Sequence, residues 1–138
     1  MFADSDHNTL QHSADLDNGY ALSAFVGFDS RPDGIKEIFV TKEINEAGIY
    51  GMRMTFNGKE GIADCDDRIP VKKMWRYGRF DWFPAFAWSE VEGEVWPMIA
   101  EKIWAKLNGS YAWSAGGRSD WVMKHLSNSP SETLMTDK

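Results

Sequence analysis

The chain has 138 residues, 43% of them apolar, with seven Trp and eight Phe, and a formal net charge of −6. That length and apolar share suffice for one packed domain, whereas the acidic balance supplies no clustered Lys/Arg footprint for DNA or RNA. The single cysteine, Cys65, excludes an internal disulfide framework and suits a reducing compartment.

Residues 1–14 are polar without periodicity and are expected to form a loose N-terminal tail. MFADSDHN is unlike a signal or transit peptide, no lipid-attachment motif is present, and no apolar run approaches the ~20 residues of a membrane span. The cytoplasm and the lack of a direct membrane anchor are the expectation. From Leu16 to Phe28, apolar residues at Leu16, Tyr20, Ala24 and Phe28 predict a short helix with Asp17 or Asn18 as N-cap. Arg31 to Gly34 (RPDG) reads as a turn, and Ile35 to Thr41 as a short helix or extended piece. Ile49 to Phe56 alternates, with Tyr50, Met52, Met54 and Phe56 on one face, and Asn57-Gly58 supplies a two-residue hairpin turn into a strand from Lys59 to about Asp66.

Met74 to Trp88 is dense in aromatics with no single period, and reads as an irregular loop with a short strand around Phe86. The strongest predicted helix runs from about Glu94 to Asn108, with Pro97 in its first turn and an apolar half comprising Val95, Trp96, Ile99, Ala100, Ile103, Trp104 and Leu107. Burial of its six large side chains is worth on the order of 10 kcal/mol before ordering entropy. Asn108-Gly109 is a left-handed stop. A last helix, about Ser119 to Leu126, starts from a Ser119 cap, and residues 128–138 form a polar tail.

Candidate chemistry is sparse. Asp64, Asp66 and Asp67 lie at a strand end without the convergent loop a hard cation needs; one is expected to accept backbone N–H groups and another to face Arg68. The acids beside Cys65 raise its pKa, the wrong direction for a nucleophile. His7 and His12 sit five apart with no thiolate near them, and His125 lies in a last helical turn, where the dipole favours a cation. The aromatic stretch around Trp82 suits core and interface packing better than a base-stacking platform.

NEAGIYGMRMTFNGKE, DDRIP, PAFAWSEVEGEVW and EKIWAKLNGSY, in that order and spacing, resemble the core of calpain-type cysteine peptidases over about Leu16 to Leu126. The resemblance implies an α+β fold: a papain-like first lobe spanning residues 15–127, with helices packed around a small antiparallel sheet. It also implies where the chemistry should be. The family's nucleophile motif, Gln-Gly-x-Leu-Gly-Asp-Cys-Trp-x-Leu-Ser-Ala, falls without a gap on Ser13 to Ala24, anchored by PDGIK downstream. Leu16, Leu22, Ser23 and Ala24 agree and Tyr20 replaces Trp, but Gly19 stands at the nucleophilic Cys and Ser13 at the oxyanion-hole Gln. Removing the sulfur removes the acyl-enzyme, and removing the Gln removes a transition-state donor.

In the family the His and Asn come from a second lobe beyond the helix after Gly117; with the sequence ending at Lys138, both are expected to be absent, and cysteine at position 19 is not expected to restore activity. Glu94 matches a family calcium ligand. The companion Asp position falls near Leu10, which has no side-chain oxygen, so calcium binding would require Asp6 or Asp15 as a substitute. No other cofactor is implied. The expected role is a non-catalytic calpain-like module that binds a protein partner or a second copy through an apolar face near Tyr20 and Trp88. A cytoskeletal or signalling setting follows by analogy only. The alternatives are a subunit or fragment of a calcium-dependent calpain-type endopeptidase, and a calcium sensor or membrane-recruited module.

Overall fold

The computed structural model describes residues 1–2, 10–130, 132 and 134. Among these, four α-helices and three two-stranded antiparallel sheets build a mixed α+β lobe. The central hairpin joins β2 (Ile49–Phe56) to β3 (Lys59–Asp66), pairing Ile49 with Asp66 and Phe56 with Lys59. Its turn residues take positive φ, 50° at Asn57 and 76° at Gly58, as a right-twisting two-residue connection requires. Tyr50, Met52 and Met54 point into the core, with Ala63 and Cys65 from the partner strand. Phe39 bridges to Met52, and the Val40 N–H reaches the Gly51 carbonyl, so a third short extended segment flanks β2.

Helices close over this hairpin. α1 (Gly19–Asp29) buries Ala21, Leu22, Ala24, Phe25 and Phe28. α2 (Gly34–Ile38) settles the ambiguity of that segment as a helix, entered through Asp33 in the left-handed region. Gly34 is needed there, because a Cβ would come within 2.0 Å of the Phe28 carbonyl oxygen. α3 (Trp96–Leu107) has Pro97 in its first turn and buries Trp96, Ile99, Ala100, Ile103 and Trp104. Leu107, assigned to the apolar half, is exposed instead, while Glu101 is buried. α4 (Ser119–Ser127) buries Val122 and Leu126. Its N-cap is Arg118, with Ser119 the first helical residue; the Ser119 hydroxyl shares a hydrogen bond with Ser23 across the interface with α1.

Four features correct the sequence reading. The aromatic stretch is no irregular loop: β4 (Val71–Arg76) and β5 (Arg79–Pro84) form a second hairpin, turning at Tyr77-Gly78 with φ of 50° and 78°. The short strand expected near Phe86 is β6 (Trp88–Ser89), two residues on, and it pairs with β1 (Leu10–Gln11). The described part of residues 1–14 is thus held: besides β1, the Phe2 ring meets Phe39 edge-on at 5.2 Å, and the Met1 carbonyl accepts the Val95 N–H. Finally, the ammonium partners of Asp64 and Asp66 are Lys106, at 2.7 Å, and Lys102 of α3, not the Arg68 side chain; Asp66 also accepts the Arg68 backbone N–H. No described helix is long and apolar enough to cross a membrane.

Candidate functional site

The start of α1 is fixed by a buried polar relay. Asn18 and Glu101 are only 1% and 3% exposed. The Asn18 Nδ2 donates to Glu101 Oε1 at 2.6 Å, and the other carboxyl oxygen accepts the Ala87 backbone N–H at 3.0 Å. Asn18 precedes the helix as its N-cap, but its side chain turns to Glu101 instead of capping the backbone. Both donors thereby find the acceptor that a buried N–H requires. Burial raises the Glu101 carboxyl pKa; the bonds from Asn18 and Ala87 oppose the shift. The relay joins α3, the segment entering β6 and the entrance of α1.

Gly19 is the first residue of α1 and is exposed. A Cβ built there meets nothing within 4 Å, so the position has room for a side chain and carries none. Tyr20 is half-buried and held on three sides. Its hydroxyl accepts the Trp104 Nε1–H at 2.8 Å and donates to the Ser114 carbonyl at 3.0 Å, and its ring lies where a Cβ of Gly117 would stand, 2.4 Å away. The Gly116 N–H also bonds the Asp17 carbonyl at 2.6 Å, clamping the segment after α3 onto the helix start.

Ser13 accepts the Asp15 backbone N–H at 3.1 Å and the Lys72 ammonium at 3.3 Å, and Lys72 is ion-paired with Asp15. The inner face of the β4–β5 hairpin thus sits against the segment that leads into α1. Trp88, one residue beyond the relay, lies beneath the Arg76 guanidinium at 4.2 Å. Together these residues line one open hollow, with Ser13, Asp15, Lys72, Arg76, Phe86 and Trp88 on its walls.

Neither sulfur nor imidazole is organised for catalysis among the described residues. Cys65 is buried against the Ile99 carbonyl, and its thiol is pushed up to about 11, chiefly by burial and only secondarily by Asp66 and Asp64. His125 Nδ1 lies 2.6 Å from the Thr55 carbonyl oxygen, its ring between Phe56 and Trp104. His12 is exposed, and His7 lies outside the described residues.

Calcium is tested by the donors around Glu94. One Glu94 oxygen accepts the Ser89 hydroxyl at 2.6 Å. Asp29 lies close enough that, after burial, the Glu94 charge raises its pKa. Leu10 is in β1 and offers no side-chain oxygen, Asp15 is engaged by Lys72, and Asp6 lies outside the described residues. No group of three or more His, Cys, Asp or Glu side chains suited to a metal occurs among the described residues. Among the described residues these side chains do not assemble the oxygen shell that calcium takes.

A helix-and-hairpin lobe whose first long helix starts beside a cleft-like hollow defines an α+β first lobe of a papain-like peptidase core. The family model of the calpain family cysteine proteases matches residues 2–138, and the chain belongs to the calpain family. It is 35% identical over 100 residues to the calpain-type cysteine protease ADL1 of rice, covering 72% of this chain and 4% of that protein. It is 32% identical to calpain-5 of Caenorhabditis elegans over 78% of this chain and 15% of that protein, and 38% identical to mouse calpain-8 over 53% and 9%. The chain thus spans a small part of each of these relatives.

Proposed function

We propose that this chain is a non-catalytic calpain-like module that acts by binding another protein, as a regulatory or cytoskeletal scaffold. One observation carries the reading: where the family motif puts its nucleophile, Gly19 opens α1 with no side chain, though the space for one is there. A covalent cysteine mechanism needs a thiolate at that point, and this holds whatever residues lie elsewhere in a longer protein. Ser13 supports the same reading, since its hydroxyl is taken by Lys72 and the Asp15 N–H and is shorter than the Gln it replaces. Tyr20 and Trp88 remain the proposed contact residues, both half-buried and near the relay that fixes the helix start.

The test is a peptidase assay on the native protein with any chains that copurify with it, with and without calcium, alongside sedimentation and capture of its partner. No turnover, with a stable complex or dimer, is expected. Gly19→Cys supplies the control for geometry. A thiol at an exposed helix N-terminus has a lowered pKa, so it should alkylate at least about a hundredfold faster than Cys65 at pH 7.

A second reading, a portion of a calcium-dependent calpain-type endopeptidase, is favoured by the coverage, because the chain matches 15% or less of these relatives. Turnover by the native protein that disappears on mutation of one of its own side chains would establish it.

A further inference from the structure

The hairpin β4–β5 has an outer side that the reading above leaves unused. Its register places Val71, Lys73, Trp75, Phe80, Trp82 and Pro84 on one face. Trp75, Phe80 and Trp82 are 62%, 65% and 63% exposed, and Tyr77 at the turn is 77% exposed. The other face is turned inward through Lys72, on Ser13 and Asp15, and through Arg76, on Trp88. Large aromatics seldom stand in water together, and a contiguous set of them marks a contact surface.

Charge says what kind. Residues 71–84 hold Lys72, Lys73, Arg76 and Arg79 against Asp81 alone, a net of +3; with −6 overall, the rest of the chain carries −9. Of these cations, Lys73 shares the aromatic face and Arg79, beside Asp81, stands exposed at the hairpin tip, on a chain whose remainder is acidic. Trp and Tyr favour the polar–apolar boundary of a bilayer, and cations flanking them are drawn to anionic lipid.

We propose that the β4–β5 hairpin docks this chain on the surface of an anionic lipid bilayer. Trp75, Phe80 and Trp82 enter the headgroup layer, and Lys73, with Arg79 at the exposed hairpin tip, faces the lipid anions. The contact is peripheral, distinct from a spanning segment or a covalent lipid.

Size and ring geometry separate this partner from others. Two six-residue strands present a face of roughly 10 by 20 Å, far below the ~800 Å² per side of a standard protein interface. A bilayer needs only a few inserted rings. Trp75 and Phe80 meet edge to face, with centroids 5.0 Å apart and planes at 68°, so they do not form the side-by-side stack of ring faces that a single-stranded nucleic acid would use. Repulsion of the acidic remainder by the same membrane is screened beyond ~10 Å at 0.1 M salt.

The test is flotation of the full chain with vesicles of phosphatidylcholine containing 30% phosphatidylserine, against phosphatidylcholine alone, at 0.1 M salt, with brominated lipid as a depth probe. Binding to the anionic vesicles, quenching of tryptophan fluorescence, and little binding to the neutral vesicles are expected. Trp75→Ala/Trp82→Ala should lose the quenching and most of the binding, and Lys73→Glu/Arg79→Glu should weaken binding by about tenfold or more. All four positions are exposed, and far-ultraviolet dichroism shows whether the variants remain folded. No binding by the folded wild type, binding indifferent to both double variants, or binding to soluble polyglutamate or an oligothymidine as tight as to vesicles and without lipid quenching would each overturn the proposal.

Discussion

The two hairpins of this chain are built alike and meet opposite fates. Each turns through two residues with positive φ, Asn57-Gly58 in one and Tyr77-Gly78 in the other, and each pairs without a bulge. In β2–β3 one face is sealed by α3 and α4, and Met52 is fully buried. In β4–β5 the face bearing Trp75, Phe80 and Trp82 is left in solvent. Aromatic content therefore does not decide which sheet face becomes core; a covering element does. Stability should be concentrated in the first hairpin and surface recognition in the second.

The sharpest way to break that contrast is to cut into each face. Met52→Ala should cost about 2–5 kcal/mol in urea denaturation, because the cavity cannot collapse around a fully buried site. A cost below about 1 kcal/mol would mean that the first hairpin is not the core. Next in size is the relay that ties this core to the start of α1. Glu101→Ala strands two donors, the Asn18 amide and the Ala87 N–H, and should destabilise by about 1–3 kcal/mol.

Glu101→Gln tests its charge state. The folded pKa of Glu101 is raised above the ordinary value of 4.5, so its protonated form is favoured by folding. Its contribution is fully present below pH 4.5 and is lost as pH rises through the folded value. Wild type should therefore lose stability relative to the Gln variant as pH climbs above 4.5, and a flat difference would remove burial as the cause.

Smaller again is the turn swap. Tyr77 holds a left-handed conformation that Asn tolerates better, so Tyr77→Asn should stabilise by up to about 1 kcal/mol, and Asn57→Tyr should cost as much. Thermal denaturation resolves either. Trp75→Ala should change stability by no more than about 0.5 kcal/mol, as fits an exposed side chain away from the core.

The same contrast explains what the sequence disclosed. β2–β3 was legible because its alternation coincides with burial and Asn-Gly marks the turn. β4–β5 was not, because apolar residues lie on both faces, Met74 and Phe83 on one and Trp75, Phe80 and Trp82 on the other, and because a tyrosine occupies the left-handed turn position. β1 is two residues long, too short for any period to show. Helix α3 was legible from its stripe, but that apolar stripe does not include Glu101. Its spacing from Pro97 and Trp104 puts it on the buried side, a signal strong enough to have asked for a partner. Asn18, offered with Asp17 as a cap, does hold the N-cap position, but its side-chain partner lies 83 residues away, beyond the reach of any local pattern. At the candidate site, motif alignment located Gly19 and Ser13, but the Lys72 contact to Ser13 depends on a hairpin that periodicity did not reveal.

The most direct measurement is intact-mass analysis of the native protein after exposure to a peptidyl epoxide that alkylates cysteine peptidases, run beside a fluorogenic peptide assay with calcium present. No adduct on this chain and no turnover are expected, because residue 19 has no side chain and the Cys65 thiol is buried and pushed up to about 11. A stoichiometric adduct on Cys65 accompanied by loss of measurable turnover would contradict the non-catalytic assignment.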